Sequence, residues 1–172
     1  NIDHSGDEDA TFGGPAVVTH STIDPDAFGD HSVTCRFKLP TVNSVHYCIV
    51  AWTDTMNYLY AKFTAKANDC LEITLFEVSF GIHGDVTPST NDLDGFSLDT
   101  YYTARACIEG AVFSALIVEE PWTIQQATLL TTPSGRFGGA GGSSTIDYFK
   151  FEDLTTGCPR CDLSCSLHED TF

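Results

Sequence analysis

The most constraining feature of the sequence is the alternation of apolar and polar residues within residues 51–78. Leu71, Ile73 and Leu75 are separated by residues that are mostly polar. Successive side chains of a β-strand point to opposite faces of a sheet, so this spacing places the three on one face. No window here repeats its apolar residues at the spacing of an amphipathic helix. The pattern predicts a sheet with one buried face, in the middle of an antiparallel β-sandwich.

Further segments show the same alternation or a short apolar run bounded by turn-forming residues. Predicted strands cover residues 15–21, 32–38, 46–52, 57–65, 70–78, 101–109, 111–118 and 145–152. Gly110 separates two of them, which are predicted to form a hairpin. Residues 122–130 fit either a strand or a short helical passage. Residues 81–98 are predicted to be a loop, and residues 135–144 a glycine-rich link.

The chain of 172 residues has the size of one domain. We divide it into an acidic N-terminal arm (1–14), the sandwich (15–154) and a cysteine-rich C-terminal tail (155–172). The formal net charge of −16 argues against nucleic acid and anionic lipid as partners, because both are themselves negatively charged. No run approaches the roughly 20 apolar residues of a membrane helix, so membrane insertion is not expected.

A set of motifs in a fixed order resembles the concanavalin A-like lectin/glucanase superfamily, in its laminin-G-like branch, over residues 11–154. The matching motifs are Trp52-Thr53-Asp54, Asn57-Tyr58-Leu59, residues 71–76, Tyr101-Tyr102-Thr103, Gly135-Arg136-Phe137-Gly138 and Thr145-Ile146-Asp147-Tyr148-Phe149. The resemblance implies an all-β fold, a two-sheet antiparallel jelly-roll sandwich with a concave face. It does not choose a function, because the superfamily contains enzymes, lectins and structural domains.

Catalytic patterns are absent from the sequence. In the glucanase branch of the superfamily that the sequence resembles, the catalytic acids lie at alternate positions of one strand. Retaining glycosidases need two carboxylates close together. Glu119 and Glu120 are adjacent, so in a strand their side chains point to opposite faces. The chain also lacks a Gly-x-Ser-x-Gly elbow, and its glycine-rich run lacks the ending of a phosphate loop. We therefore expect a protein that is not an enzyme.

The resemblance also implies a structural calcium ion between the N-terminal stretch and the last strand. Asp147 occupies the position of the last-strand aspartate, and its possible N-terminal partners are Asp7, Glu8 and Asp9. Carboxylate oxygens are the ligands that calcium prefers. The alternative is that Asp147 is a solvated acid at a strand edge.

The seven cysteines indicate an oxidising compartment and disulfide bonds. Cys70 opens one predicted strand and Cys107 closes another, so a Cys70–Cys107 disulfide forms if those strands are antiparallel neighbours. Cys35 and Cys48 flank a loop and could oppose each other in a hairpin; the alternative is two buried thiols.

The tail holds Cys158, Cys161, Cys165 and His168, whose spacing suits either a zinc site or a local disulfide. We favour disulfide bonding in a chain that looks extracellular. Because seven is odd, one cysteine is left with a thiol or bonds to another chain.

Two functions are compatible with these features. The first is a structural or adhesive module at the cell surface or outside the cell, whose partners are other copies of itself in an oligomer or filament. The alternative is a carbohydrate-binding module that uses exposed aromatic side chains. The candidate sugar-binding residues are Tyr58, Tyr60, Tyr101 and Trp122, although packing within the sheet explains such residues equally well.

Overall fold

A computed structural model of the chain describes residues 10–19, 30–54, 56–85, 95–128 and 136–153. These residues form ten β-strands: β1 (Ala10–Thr19), β2 (His31–Lys38), β3 (Val45–Asp54), β4 (Asn57–Lys66), β5 (Cys70–Ser79), β6 (Ile82–Asp85), β7 (Tyr101–Glu109), β8 (Val112–Ile117), β9 (Glu120–Thr128) and β10 (Arg136–Asp153). The described residues contain no helix, and so none long and apolar enough to cross a bilayer. The predicted all-β fold is confirmed.

The ten strands form a two-layer sandwich in which the long strand β10 belongs to both layers. All strand pairs are antiparallel, in the order β6-β5-β4-β3-β10-β2-β7-β8-β9, with β1 also paired to β10. Residues 136–142 of β10 pair with β3, whereas residues 145–153 pair with β2. We call the layer with β3, β4, β5 and β6 the first sheet, and the layer with β2, β7, β8 and β9 the second sheet.

The hydrophobic core lies between the two sheets. Strands β2, β3, β4, β5, β7 and β8 contribute buried residues to it, mostly at alternate positions, as the period of two requires. The largest fully buried side chains include Phe37 from β2, Phe63 from β4 and Phe113 from β8. Burial of each such side chain contributes about 1.5–3 kcal/mol to folding. The three strongly alternating residues of β5, namely Leu71, Ile73 and Leu75, all point into this core, in agreement with the sequence pattern.

Two segments predicted to be irregular contain strands. The predicted loop at residues 81–98 includes β6, which pairs with β5. The predicted glycine-rich link at residues 135–144 is the first half of β10. A run of glycines carries no side chains and so no alternation, yet its backbone hydrogen-bonds to β3 on one side and β1 on the other. These backbone pairs, which composition does not reveal, make the segment a strand.

The ends of the chain are described only in part. Strand β1 begins at Ala10, which pairs with Ile146 of β10, so residues 10–14 of the predicted arm belong to the sandwich. Residues 1–9 and the predicted tail from residue 155 onward lie outside the described residues. Residues 122–130, for which strand and helix were both open, form most of β9 up to Thr128.

Candidate functional site

A row of aromatic side chains lies on the outer face of the first sheet. It consists of Trp52 on β3, Tyr58 and Tyr60 on β4, and Phe76 on β5, and we call it the aromatic row. The strand register places Tyr60 opposite Phe76, and Trp52 opposite Tyr58. An irregularity in the β3–β4 pairing between Ile49 and Ala51 shifts the alternation of β3 by one residue. This shift brings Trp52 to the outer face.

The rings of the aromatic row stack on one another in sequence. Their centroids are 4.6 Å apart between Trp52 and Tyr58, 5.7 Å between Tyr58 and Tyr60, and 4.8 Å between Tyr60 and Phe76. Tyr47 of β3 meets Tyr60 edge-on at 5.5 Å. Each such pair contributes about 0.5–1.5 kcal/mol beyond the area that it buries. Because the two middle rings cover each other's faces, the row offers its edges and the outer faces of its end rings.

The aromatic row packs against buried apolar side chains and is partly exposed to solvent. Ile49 and Val78 are buried on the same face, opposite Tyr60 and Tyr58 in the register, and Tyr60 is 8% exposed. Trp52 and Phe76, at the two ends, are of intermediate exposure. A partly exposed aromatic surface with nearby polar groups can contact a ligand that has both an apolar face and hydroxyls.

The polar groups close to the aromatic row include phenol hydroxyls and the Lys62 ammonium. Burial, and then the neighbouring Tyr58, raise the pKa of Tyr47 above its ordinary value of 10.0, so its hydroxyl is a hydrogen-bond donor at neutral pH. The Lys62 ammonium lies 5.8 Å from the centroid of the Phe76 ring. Further along the same face Lys66 forms an ion pair with Glu72 at 2.9 Å.

Strand β10 borders the row on the side of β3. Gly138 stands opposite Ile49 in the register, and Gly142 stands opposite Val45. Since neither glycine has a side chain, these two positions add nothing above the backbone next to Ile49 and Val45. The sheet surface at these two positions is therefore low beside the tyrosines.

The four predicted sugar-binding residues do not come together. Tyr58 and Tyr60 are in the aromatic row, but Tyr101 is on β7 of the second sheet, beneath Arg36 and Lys38 at 5.0 and 5.2 Å. Trp122 is in β9, and its side chain lies outside the described residues.

Three aromatic residues that contact the Tyr58–Tyr60 pair were not predicted, namely Tyr47, Trp52 and Phe76. Phe76 and Tyr47 alternate with buried residues on the strands next to β4, which is the signal that could have identified them. Trp52 is displaced by the irregularity in β3, so local periodicity does not assign it to this face.

The predicted calcium ligand Asp147 is engaged by a protein cation. Its carboxylate lies 2.7 Å from the guanidinium of Arg36 on the neighbouring strand β2. The other expected ligands, Asp7, Glu8 and Asp9, are outside the described residues. The calcium site therefore stays a prediction.

The structure joins Cys35 and Cys48 in a disulfide. The expected hairpin geometry is wrong, because β2 and β3 belong to opposite sheets and β10 lies between them in the strand order. The disulfide instead links the two sheets through the core, where both cysteines are fully buried. The alternation of β2 and β3 points both residues inward, although the register of each strand alone does not show that they meet.

The predicted Cys70–Cys107 disulfide is wrong. Cys70 begins β5 in the first sheet, and its thiol donates to the carbonyl of Asn68 at 3.3 Å. Cys107 lies in β7 of the second sheet and is disulfide-bonded, but Cys70 is not its partner. The prediction assumed that the two strands were neighbours, and the topology separates them. Cys158, Cys161, Cys165 and His168 lie outside the described residues.

His46 is buried beside the Cys35–Cys48 disulfide. Its ring stacks on Phe37 with centroids 4.3 Å apart, and its Nδ1 hydrogen-bonds to the Ser144 hydroxyl at 3.1 Å. Its Nε2 lies 4.0 Å from the sulfur of Cys48. Burial lowers the pKa of His46 from 6.5 to about 3, because a charged imidazole loses its hydration in the core. The ring is therefore neutral at physiological pH.

Comparison with known proteins gives a match in fold alone. No family model and no curated protein matches the chain. Among solved structures, galectin-Ib of Xenopus laevis has a TM-score of 0.59 at 8% identity, over 81% of this chain and 100% of the other. CG-16, a homodimeric agglutinin from chicken liver, has a TM-score of 0.56 at 12% identity with the same coverage.

Carbohydrate-binding module CBM66 from Bacillus subtilis has a TM-score of 0.52 at 15% identity, over 83% of this chain and 94% of the other. These similarities show a jelly-roll β-sandwich fold, and membership of the concanavalin A-like superfamily stays a prediction. The laminin-G-like branch within that group stays a prediction.

Proposed function

We propose that the chain is a non-catalytic carbohydrate-binding module, and that it holds its sugar at the aromatic row. The observation that carries the proposal is the continuous stack from Trp52 to Phe76 on the outer face of one sheet, with a tyrosine edge-on at its centre. The sequence features are compatible with this function, and the fold neighbours support it better than a fibril subunit.

The chemistry of the row suits a sugar ring. A pyranose has an apolar face of C–H groups and a rim of hydroxyls, so a site for it combines aromatic faces with hydrogen-bonding groups. The outer faces of Trp52 and Phe76 are the stacking surfaces, since the inner rings cover one another. The tyrosine edges and the Lys62 ammonium supply donors to the hydroxyls.

The hypothesis of a structural module that assembles with other copies of itself has less support. One route to such an assembly is an arm at residues 1–14 that adds a strand to another copy. The described part of that arm pairs within its own chain, where Ala10 and Thr11 lie opposite Ile146 and Thr145 of β10. Self-association stays an open proposal that rests on no contact between described residues.

The absence of catalysis is also part of the proposal. Glycoside hydrolysis needs two carboxylates about 5–9.5 Å apart across the scissile bond. Among the described side chains on this face, Glu72 is held by Lys66 in an ion pair, and Glu77 alternates to the opposite face of β5. We place the module outside the cell or at its surface, a location that the Cys35–Cys48 disulfide supports.

The test is glycan binding with row and control variants. The protein is screened against an array of neutral and acidic oligosaccharides, and the best ligand is titrated by calorimetry. Trp52→Ala and Phe76→Ala each remove a stacking face, and we expect each to weaken binding at least about tenfold. Tyr101→Ala is the matched control, because Tyr101 lies on the second sheet.

Circular dichroism and thermal melting establish that each variant folds. Binding that survives both row substitutions would place the sugar elsewhere. A correctly folded wild type that binds no glycan on the array would remove the proposed function.

A further inference from the structure

The described residues contain one group of three side chains able to hold a metal ion, and it is in the core. The group consists of Cys35, His46 and Cys48, and we call it the core Cys–His cluster. Its three ligand atoms lie within 4.8 Å of one another, and all three residues are buried. The alternation of β3 explains two members, since His46 and Cys48 are two residues apart and both point inward. Cys35 comes from β2 of the facing sheet.

The imidazole of the cluster is already oriented towards the sulfurs. The Ser144 hydroxyl is 3.1 Å from Nδ1 on one side of the ring, and the Cys48 sulfur is 4.0 Å from Nε2 on the other. Stacking on Phe37 fixes the plane of the ring. If Nδ1–H donates to the serine oxygen, the lone pair of Nε2 points at the cysteines. Histidines that bind metals are held in this way, by a hydrogen bond from the other ring nitrogen.

We propose that reduction of the Cys35–Cys48 disulfide converts the core Cys–His cluster into a zinc site. A dithiol or phosphine reductant supplies two electrons, two protons complete the two thiols, and the reductant is oxidised. Zinc then displaces one proton from each thiol and accepts the Nε2 lone pair. The bonds formed are two Zn–S bonds and one Zn–N bond, and the bond broken is the S–S bond. The disulfide and the zinc complex therefore exclude each other.

The spacing and the charge of the cluster both suit zinc. Tetrahedral bonds of about 2.3 Å to sulfur and 2.0–2.1 Å to nitrogen place ligand atoms roughly 3.5–3.8 Å apart. The 4.0 Å between Nε2 and the Cys48 sulfur is close to this spacing. Two thiolates and a neutral imidazole balance the two charges of the ion, so the core gains no net charge, which a buried site requires. The three side chains leave a fourth position for an exogenous ligand.

The consequence is a link between the two sheets that changes with the compartment. In an oxidising compartment the sheets are joined by the disulfide, which the structure shows. In a reducing compartment zinc joins the same strands through the same cysteines. This inference does not depend on sugar binding, because the cluster faces the core and the aromatic row faces outward.

The experiment uses cobalt as a spectroscopic substitute for zinc in the full chain. Cys107, Cys158, Cys161 and Cys165 are first replaced by serine, because the tail could itself bind metal and reduction would also release the thiol of the disulfide-bonded Cys107. This background protein is reduced without oxygen and titrated with Co²⁺. We expect one equivalent to bind, with a sulfur-to-cobalt charge-transfer band and the visible bands of tetrahedral cobalt, and one equivalent of Zn²⁺ to displace it. X-ray absorption of the zinc form is expected to give two sulfur ligands and one imidazole nitrogen.

Variants and the oxidised protein supply the controls. Cys48→Ser and His46→Gln are expected to weaken cobalt binding at least about tenfold, whereas Cys70→Ser leaves it unchanged. The oxidised background protein is the same polypeptide without the two core thiols, and it is expected to give no charge-transfer band. It therefore remains a valid control even if a substituted variant does not fold. No band in the reduced protein, an equal band in the oxidised protein, or full binding by folded Cys48→Ser would each overturn the proposal.

Discussion

Acidifying the oxidised protein from about pH 8 to about pH 5 is expected to lower its free energy of unfolding through His46. The imidazole is fully buried, and burial lowers its pKa from 6.5 to about 3. The contacts that the structure gives it are the Phe37 ring, the Ser144 hydroxyl and the Cys48 sulfur, none of which is charged. In this pH range the unfolded chain therefore binds a proton that the folded chain does not.

The sign and size of the effect follow from proton linkage. Stability rises with pH wherever the unfolded state binds more protons, so the contribution of His46 is complete above about pH 7 and is lost as the pH falls from 6.5 towards 3. With these two pKa values, the loss between pH 8 and pH 5 is about 2 kcal/mol. The whole interval between them corresponds to about 5 kcal/mol.

The assay is urea unfolding of wild type and His46→Gln at several pH values between 5 and 8. The many carboxylates also begin to titrate near the lower end, but they are common to both proteins, so the difference between the two curves isolates the imidazole. Wild type is expected to lose about 2 kcal/mol more than the variant over this range. Ser144→Ala is a second control, because it removes the hydrogen-bond partner without removing the titrating group. Parallel curves for wild type and His46→Gln would refute the reasoning that ties burial to the neutral ring.

Four further outcomes are expected. Gly139→Ala should stabilise the protein by about 0.4–1 kcal/mol, because its new methyl group would lie at an ordinary contact distance of 3.5 Å from Ile146. Gly110→Ala should destabilise the protein by about 1–2 kcal/mol, because Gly110 has a φ of +57°, which alanine adopts only with strain. Urea unfolding measures both changes. Phe63→Ala, in the core, should cost about 3–5 kcal/mol in the same assay. If the predicted calcium site at Asp147 exists, a chelator should lower the melting temperature of wild type, and an unchanged melting curve would dismiss the site.

Local pattern predicts the sheets well wherever side chains carry the signal. Strand β7 was predicted with its observed bounds, and the hairpin turn at Gly110 was predicted and is confirmed. The first half of β10 was missed because its glycines have no side chains to alternate. Only the backbone pairs with β3 and β1 define it as a strand, and such long-range pairs leave no trace in composition.

The candidate site was predicted in part for a related reason. Tyr58 and Tyr60 alternate on one strand, so their shared face is visible in the sequence. Trp52 reaches that face through an irregularity in β3, and Tyr101 fails to reach it because β7 is in the other sheet. Of the two cysteine pairs considered from the sequence, one forms a disulfide and the other does not. Inward-facing Cys35 and Cys48 meet across the core, whereas Cys70 and Cys107 are kept apart by a topology that strand patterns alone do not fix.

Strand β3 carries both proposed sites, and its pleat keeps their tests separate. His46 and Cys48 point into the core, whereas Tyr47 and Ile49 support the aromatic row on the outer face. Cys48→Ser changes the zinc ligands and leaves the row's side chains in place, while Trp52→Ala does the reverse. If Cys48→Ser abolishes only zinc binding and Trp52→Ala abolishes only glycan binding, the two faces act independently. If Cys48→Ser also weakens glycan binding in a folded protein, the core cluster supports the position of β3, and the sheet surface depends on how its interior is joined.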